Sequence, residues 1–571
     1  LKHVKTPLEK AETYKILIIQ YSLKAAYKES VDAGLDALSL LGINISKENV
    51  DEAIGKEVAR IKELSEGKIT ESLIDAPLME NTEMKVAVTL LTDLMSPCWN
   101  SYPNMFPLLV FRTVNLYLEH GLNPVSYGYS CYGIILGSGF GQFKDGDDYG
   151  TLAFRIAEKF QSKSDLTKAA NVLGNFTSPW VRHVKHSEEI NRQGLEASLE
   201  SGEFQHGSLG AMNTPVCLFF QGKQLSEFTN DINRLLSFGK KVKSILATDT
   251  VMAFDLIVNN LRGLTPAALE FRNATITEEE YLKTCEEHKG LYSITLYNIL
   301  KAQALYIYEE PEEALRLLEE ANKNIVFLFG LVSNAELNFF ISLCLSSLYK
   351  IKSTSERKEI IVRIKANQKQ MKIWAQNSPE NFYHKFLLIE AELARLEYKN
   401  WKAAKLYDQA VTEARAGEFV QMEAIISEVS ARFWLSKKND RNVAEYYTDA
   451  YKLYEQWGAT RKCTELKERY PDYIIENRQF TGSKNFALTI SATTTDIYSG
   501  QSLDLQSVVK SSVAISGEIQ FESLITKLMS IMMENAGAEK GVLLLRDGEG
   551  LFVEAEHSVG KGEMRTLMHE P

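Results

Sequence analysis

The sequence predicts a mainly α-helical protein in which a repeat solenoid is followed by a linker, a helix and the truncated start of an α/β domain. Apolar residues recur with the helical period from the start of the chain to about residue 478. Within that region, small residues recur at a fixed spacing. Near residue 479 the composition changes, and Ser, Thr and Gly become frequent. The first two observations predict the solenoid, and the third predicts where it ends.

The repeat signal consists of small residues seven positions apart. This is about two helical turns, so both members of a pair lie on one helix face, where a neighbouring helix can approach closely. The pairs are Ala314 with Ala321, Ala403 with Ala410, and Val443 with Ala450. The last two pairs are 40 residues apart and the first two are 89 apart, about two such periods. An irregular helical bundle is the alternative, because the same spacing occurs in ordinary helix packing.

Several helix ends can be placed within this region. Residues 14–23 and 27–41 predict a helix pair that ends at Gly42. Pro311 lies between acidic residues, which is typical of a helix start. The basic run at residues 239–243 predicts the solvated end of a helix. Residues 95–240 are the least regular part, and we expect them to bend or interrupt the array.

The region after the solenoid predicts three further parts. Residues 479–502 predict a flexible linker and residues 503–520 a helix. Residues 521–571 predict a second helix and two strands, 541–546 and 551–556, joined at Asp547-Gly548. We expect this last part to be the truncated start of an α/β domain, since about 50 residues are too few to complete one.

The helix at 503–520 carries the spacing of a coiled-coil seam, which predicts a homodimer through residues 503–519. A lone amphipathic helix that packs on its own domain explains the pattern equally well, because two heptads specify a dimer weakly. The candidate seam residues are Leu505, Val508, Ser512, Ile515 and Ile519.

Composition excludes several classes of function. The formal net charge of −11 argues against a broad nucleic-acid footprint, and no apolar run is long enough to span a membrane. The six cysteines are scattered without a C-x-x-C pair, which predicts a reducing, cytoplasmic compartment. Because the chain starts at Leu1 without an initiator Met, we expect it to begin inside a longer protein.

No motif predicts catalysis, a cofactor or a metal site. No Gly-Lys pair has P-loop spacing, and the glycine-rich run at 137–141 is expected to be a loop between helices. Ser130 lacks the closing glycine of a nucleophile elbow, so we expect it to permit close helix packing. His183 and His186 have no third ligand nearby and are expected at the surface. The acidic runs at 278–280 and 309–310 are expected to be solvated helix caps.

Three stretches resemble known families. The small-residue pairs resemble tetratricopeptide repeats in loose form. Residues 502–519, followed by Leu524 to Ala538, resemble the entry into a GAF domain, a sensory module. Tyr149-Gly150-x-Leu152-Ala153, Ser178-Pro179-Trp180 and Gly194-Leu195-Glu196 resemble the region before that domain in very large bacterial-type signalling kinases. In that family a Ser/Thr-kinase-like domain and an AAA-type ATPase precede the helical repeats, and a histidine kinase follows the GAF domain.

The resemblance implies a non-catalytic, regulatory region of a histidine kinase that has its catalytic domains elsewhere. We expect a protein or a small molecule to bind in the repeat groove, with no nucleic acid and no membrane as partner. Binding would be relayed through the 503–519 helix to the kinase. A passive assembly scaffold that transmits nothing is the second hypothesis.

Overall fold

The computed structural model describes residues 6–24, 26–474, 540–547, 550–558 and 565–570 of the chain. The chain divides into two compact units, Leu1–Phe480 and Thr481–Pro571, and each is described by itself. In the described part of the first unit, the elements larger than an isolated β-bridge are all helical, which confirms the predicted mainly α class.

The N-terminal helical region consists of α1 to α12 and spans residues 7–261. Gly42, with a φ of +78°, follows α2, which confirms the predicted helix pair and its end, although α1 begins at Pro7, seven residues before the predicted start. Lys240 and Lys241 lie in the last turn of α11, as predicted. The helices, together with the short α13 that follows them, are α1 Pro7–Leu23, α2 Tyr27–Leu40, α3 Val50–Ser65, α4 Thr82–Ser101, α5 Phe106–His120, α6 Tyr127–Ile134, α7 Phe143–Lys159, α8 Lys163–Val172, α9 His186–Ser201, α10 Phe204–Gln221, α11 Leu225–Lys241, α12 Ile245–Leu261 and α13 Glu278–Glu287.

The repeat array consists of α14 to α22 and spans residues 291–469. Each helix packs on the next, and α16 also packs on α14 and α18. The inner helices α14, α16, α18 and α20 begin at residues 291, 333, 379 and 420, so a helix pair recurs after 42, 46 and 41 residues. The helices are α14 Leu291–Ile307, α15 Pro311–Lys323, α16 Ser333–Leu348, α17 Thr354–Asn377, α18 Pro379–Leu396, α19 Asn400–Ala416, α20 Val420–Ser436, α21 Asp440–Trp457 and α22 Thr460–Arg469.

The predicted small-residue pairs lie on the outer helices α15, α19 and α21, and all six residues are fully buried. The interval of 89 residues contains one further outer helix, α17. Its fully buried residues Ile364 and Met371 are also seven positions apart, but they are large, so the spacing of small residues does not indicate this helix. The structure therefore confirms a helical repeat rather than an irregular bundle.

Three-residue links of one shape join many helices. The middle residue is left-handed although it is not glycine, and the next N–H donates to the carbonyl five positions earlier, at 2.8–3.3 Å. This hydrogen bond closes a Schellman motif, which offsets the cost of about 1–2 kcal/mol of a left-handed non-glycine residue. The middle residues are Gln161, Lys243, Lys289, Glu309, Tyr398, Glu418 and Lys438.

The inner helices of the array pack against α10 of the N-terminal region. The ring of Phe220 lies 5.8 Å from the rings of both Phe382 and Phe419, and Phe219 lies 5.9 Å from Trp457. Gln421 donates from Nε2 to the Phe220 carbonyl at 2.6 Å. One hydrophobic core therefore runs from the N-terminal region into the array.

A short segment before α9 also docks on the array. Trp180 is buried, stacks on Phe382 at 5.4 Å and donates from Nε1 to the Gly330 carbonyl at 2.8 Å. Asn381, at the start of α18, donates to the carbonyls of Pro179 and Arg182, both at 2.7 Å. The stretch Ser178-Pro179-Trp180 therefore forms a contact between the two regions.

The array also buries an ion pair. Lys385 of α18 donates to Glu336 of α16 at 2.5 Å, with side-chain exposures of 1% and 10%. The ammonium also lies over the rings of Phe220 and Phe339. Burial lowers the pKa of Lys385, and Glu336 acts against that shift.

Glycine contacts hold α6 and α7 together in the N-terminal region. A Cβ on Gly133 would lie 2.5 Å from the Gly146 carbonyl oxygen, and one on Gly146 would lie 2.6 Å from that of Gly133. The predicted close packing around Ser130 is confirmed, because Ser130 is fully buried in α6. The glycine-rich run is not a simple loop, however: α6 continues as a π-helical turn, Ile135–Gly139.

The second unit contains a three-stranded antiparallel sheet of β1 Lys540–Asp547, β2 Gly550–Ser558 and β3 Arg565–Glu570, in the order β1-β2-β3. The pairing of β1 with β2 agrees with the predicted hairpin. The predicted linker at 479–502 and helix at 503–520 lie outside the described residues. The assignment of residues 521–571 to a GAF-like domain stays a prediction.

Candidate functional site

An open cleft of about 310 Å³ lies where the C-terminal ends of the four inner helices meet. This volume is at the lower end of the range of roughly 300–1,000 Å³ for small-molecule sites. We call it the helix-end cleft. It is lined by Tyr306, Glu309, Pro311, Ser347, Lys350, Glu392, Arg395, Val429, Arg432, Phe433 and Ser436.

Cationic side chains satisfy the helix ends around the cleft. Arg395 donates from Nη2 to the Ser346 carbonyl at 3.0 Å, and Lys462 donates from Nζ to the Ile307 carbonyl at 2.5 Å. The last carbonyls of a helix lack partners within the helix and carry partial negative charge, so cations are favourable there. Four helix ends in one place therefore explain why arginine and lysine gather at this cleft.

Glu392 and Arg395 form a satisfied pair in the wall. Arg395 donates to the carboxylate of Glu392 from Nε at 3.0 Å and from Nη2 at 2.6 Å. Ser346 donates at 2.7 Å, and the Tyr407 hydroxyl also donates to it. Burial alone would raise the pKa of Glu392, but the charge and hydrogen bonds of these neighbours outweigh burial and hold it at about 2.

Arg432 is engaged much more loosely. Its nearest carboxylate oxygens lie 3.8 Å away on Glu309 and 4.0 Å away on Glu428, and its Nη2 lies 3.4 Å from the Tyr306 hydroxyl. Both glutamates have shorter partners: Glu428 pairs with Lys462 at 2.9 Å and Glu309 with Arg469 at 2.5 Å. The Arg432 guanidinium thus faces the cleft with donor capacity that its protein neighbours use only weakly.

The chemistry of the cleft suits recognition of an anion. Arg432 and Lys350 supply positive charge, and the rings of Tyr306 and Phe433 supply apolar walls. Guanidinium groups match carboxylate and phosphate oxygens in pairs. Among the described residues that line the cleft, none is a histidine or a cysteine.

The space inside the array, where a ligand was expected, is filled by the chain itself. Phe219 and Trp457 border a void of only about 10 Å³, which has room for about one water molecule. Helix α10 occupies this inner surface because its aromatic side chains bury there. The candidate binding site for a ligand is therefore the cleft at the helix ends and not the inner surface of the array.

Two of the expectations about histidines and acids are wrong. His183 is buried: its Nε2 donates to the Gly417 carbonyl at 2.7 Å and its Nδ1 accepts from the Lys185 N–H at 3.0 Å. Both ring nitrogens are thus used, whereas His186 is exposed at the start of α9. Glu309 is not a solvated cap but a left-handed link residue paired with Arg469. Sequence reasoning missed Arg432 and Arg395, because their helices converge only in three dimensions.

The other expectations concerned the coiled-coil seam, the cysteines, metal binding and membrane-spanning helices. The candidate seam residues Leu505, Val508, Ser512, Ile515 and Ile519 lie outside the described residues. All six cysteines are free and buried, and burial raises the pKa of Cys285 to about 11. Within the described residues, no cluster of His, Cys, Asp or Glu could hold a metal ion, and no helix has the length and apolar character to cross a bilayer.

Comparisons with known proteins add little. No protein-family model matches the chain, and no curated protein matches it. Among solved structures it is similar to a human IFIT1 dimer with PPP-AAAA at a TM-score of 0.35 and 14% identity, over 75% of this chain and 87% of that one. It is similar to a Rap protein complexed with competence and sporulation factor at 0.31 and 12%, over 75% and 100%. A circular tandem repeat protein gives 0.12 and 13%, over 82% and 96%. Scores this low assign neither a ligand nor an activity.

Proposed function

We propose that this chain is a ligand-binding regulatory region of a larger signalling protein, and that the helix-end cleft takes an anionic group of a peptide or small molecule. The loosely engaged guanidinium of Arg432 carries this proposal. A carboxylate or phosphate placed between Arg432 and Lys350 would gain charge-assisted hydrogen bonds without breaking the short pairs of Glu392 and Glu309.

The position of the cleft supports regulation by its ligand. A bound molecule would contact four successive repeats at once, at the ends of their inner helices. It would favour the arrangement of repeats in which those ends are closest, and a ligand shifts an equilibrium by its differential affinity for the two states. The helix at 503–519 is the proposed relay to a GAF-like domain and a C-terminal histidine kinase.

Calorimetric titration with inorganic phosphate and with glutarate tests the cleft. We expect Arg432→Gln to abolish detectable heat of binding for the anion that the wild-type chain takes. Arg316→Gln is the matched control, because Arg316 is an exposed arginine of α15 that pairs with Glu313. Equal binding by both variants would contradict the proposed site.

The relay needs a separate test in the full-length protein. Charged substitutions of Leu505 and Ile515 are expected to change kinase output and dimerisation. If both quantities stay at the wild-type level, the relay is wrong, and the passive assembly scaffold becomes the better account of the array.

A further inference from the structure

A second open groove lies between the outer helices α17 and α19 of the array. Its volume is about 390 Å³, and α17 and α19 flank it while α18 forms its floor. Lys365, Lys369 and Lys372 lie on one face of α17, because they are four, three and seven positions apart. Phe386 and Leu393 provide the apolar floor, and Lys402 of α19 closes the far side. We call this the outer groove.

The charges of the outer groove leave three ammonium groups available. Its two carboxylates already have partners: Glu390 accepts from Gln368 at 3.0 Å, and Glu397 accepts from Lys365 and Lys399 at 3.0 and 2.7 Å. Lys369, Lys372 and Lys402 make no ion pair within the part of the chain that the structure describes. The groove is thus locally cationic in a chain whose net charge is −11.

Two large, exposed aromatic residues are the sequence neighbours of the groove residues Glu397 and Lys402. Trp401 is 86% exposed and Tyr398 is 81% exposed, in and next to the link between α18 and α19. Tyr398 is the left-handed residue of that link, so the Schellman geometry fixes where both side chains leave the backbone. Tryptophan and tyrosine are enriched among residues that dominate binding energy at interfaces, and neither contributes to the core from this position.

The form and charge of this surface discriminate between occupants. A flat membrane surface does not enter a concave groove. Every nucleotide of a nucleic-acid strand carries a phosphate, so a strand along the groove would bring phosphates against Glu390 and Glu397 as well as the lysines. An extended peptide can place one apolar side chain on Phe386 and Leu393 and direct carboxylates outward to the lysines.

We propose that the outer groove binds an extended acidic peptide segment of a partner protein. An aromatic or aliphatic side chain of the segment occupies the floor, and its carboxylates pair with Lys369, Lys372 and Lys402. Trp401 covers the bound segment from one end. This site lies on other helix faces than the helix-end cleft, so it stands independently of that cleft and its ligand.

The test uses a labelled synthetic peptide in which glutamates flank one phenylalanine, titrated with the whole chain and followed by fluorescence anisotropy. Lys369→Glu/Lys372→Glu/Lys402→Glu is expected to weaken binding by about tenfold or more, since each reversal sets a new carboxylate of the groove against a carboxylate of the peptide. Trp401→Ala is expected to weaken it several-fold. In an Arg432→Gln background the lysine reversals are expected to weaken binding by the same factor, which separates this proposal from the helix-end cleft.

Matched controls make the result decisive. Lys240→Glu/Lys241→Glu/Lys243→Glu reverses as many charges on exposed lysines at the end of α11 and should bind the peptide like the wild type. Equal weakening by this variant, or equal binding of a peptide with glutamine in place of glutamate, would overturn the proposal. Displacement of the peptide by oligouridylate or by phosphatidylserine vesicles would also overturn it, because the groove would then bind a nucleic acid or a membrane surface. Circular dichroism of every variant verifies that the fold is retained.

Discussion

The N-terminal helical region and the repeat array are both helical, but they are held together differently. In the N-terminal region, helix backbones touch at glycines such as Gly133 and Gly146. Amide side chains there bond to each other, as Asn175 and Asn191 do reciprocally at 2.9 and 3.0 Å. The array instead buries charged pairs, such as Lys385 with Glu336, between helices of regular period.

This difference explains why one region looks regular in sequence and the other does not. Small residues recur at one spacing on α15, α19 and α21 because these outer helices make similar contacts with their neighbours. A glycine contact between two particular helices occurs once and leaves no period. The comparison also predicts that different kinds of substitution destabilise the two regions.

The largest effect is expected at the buried ion pair of the array. Lys385→Ala leaves the Glu336 carboxylate unpaired in the core, which should lower the free energy of unfolding by about 3–5 kcal/mol. Urea titration followed by circular dichroism measures it. The double variant Lys385→Met/Glu336→Leu should recover most of the loss, because no buried charge then remains. A double variant as unstable as the single one would contradict this account.

The next effect is a pH dependence carried by Glu392. The folded state holds the pKa of Glu392 at about 2, below the ordinary value of about 4.3. Glu392 therefore stabilises the folded state at every pH above about 4.3, and this contribution is lost as the pH falls toward 2. Glu392→Gln should therefore lower the free energy of unfolding by about 2–3 kcal/mol at neutral pH. The difference from wild type should shrink as the pH falls toward 2, in thermal melts recorded across that range.

Glu189 in the N-terminal region provides the contrast. Hydrogen bonds from Arg192 and Gln193 also hold the pKa of Glu189 at about 2, but its side chain is 57% exposed. Water and salt screen such a pair, so Glu189→Gln should leave Tm unchanged at every pH. An equal effect of both substitutions would mean that burial does not separate the two pairs.

The glycine contact of the N-terminal region should give an intermediate effect. Gly133→Ala places a Cβ 2.5 Å from the Gly146 carbonyl oxygen, and the overpacking should cost about 1–3 kcal/mol. Gly55→Ala is the matched control, since Gly55 of α3 has open space around it and alanine favours the helix by about 0.4–1 kcal/mol. Thermal melts should therefore shift in opposite directions.

The smallest effect is expected at a helix cap of the array. Ser353 and Glu356 form a capping box at the start of α17. Ser353→Ala should cost about 1 kcal/mol, because the N–H of Glu356 loses its acceptor. Ser355→Ala, in the same turn and exposed, should cost nothing measurable in Tm. A cost at Ser355 equal to that at Ser353 would argue against the cap.

The sequence predicted much of the first unit and little of its candidate site. Helical periodicity and the pairs at Ala314, Ala403 and Val443 predicted the repeat, because both signals depend on residues that are close together in the sequence. The links escaped prediction, since residues such as Glu309 and Lys438 adopt left-handed backbone without glycine. Arg432 and Arg395 could not be grouped either, because they are 37 positions apart and meet only when the helix ends converge.

What the sequence by itself determined is the helical class and the repeat period, because both follow from side-chain spacing along one segment. The tertiary structure alone decided that α10 fills the inside of the array, that His183 is buried, and that an arginine at the helix ends faces an open cleft. These features depend on which distant segments come together to bury apolar surface. No local pattern in the chain specifies that choice.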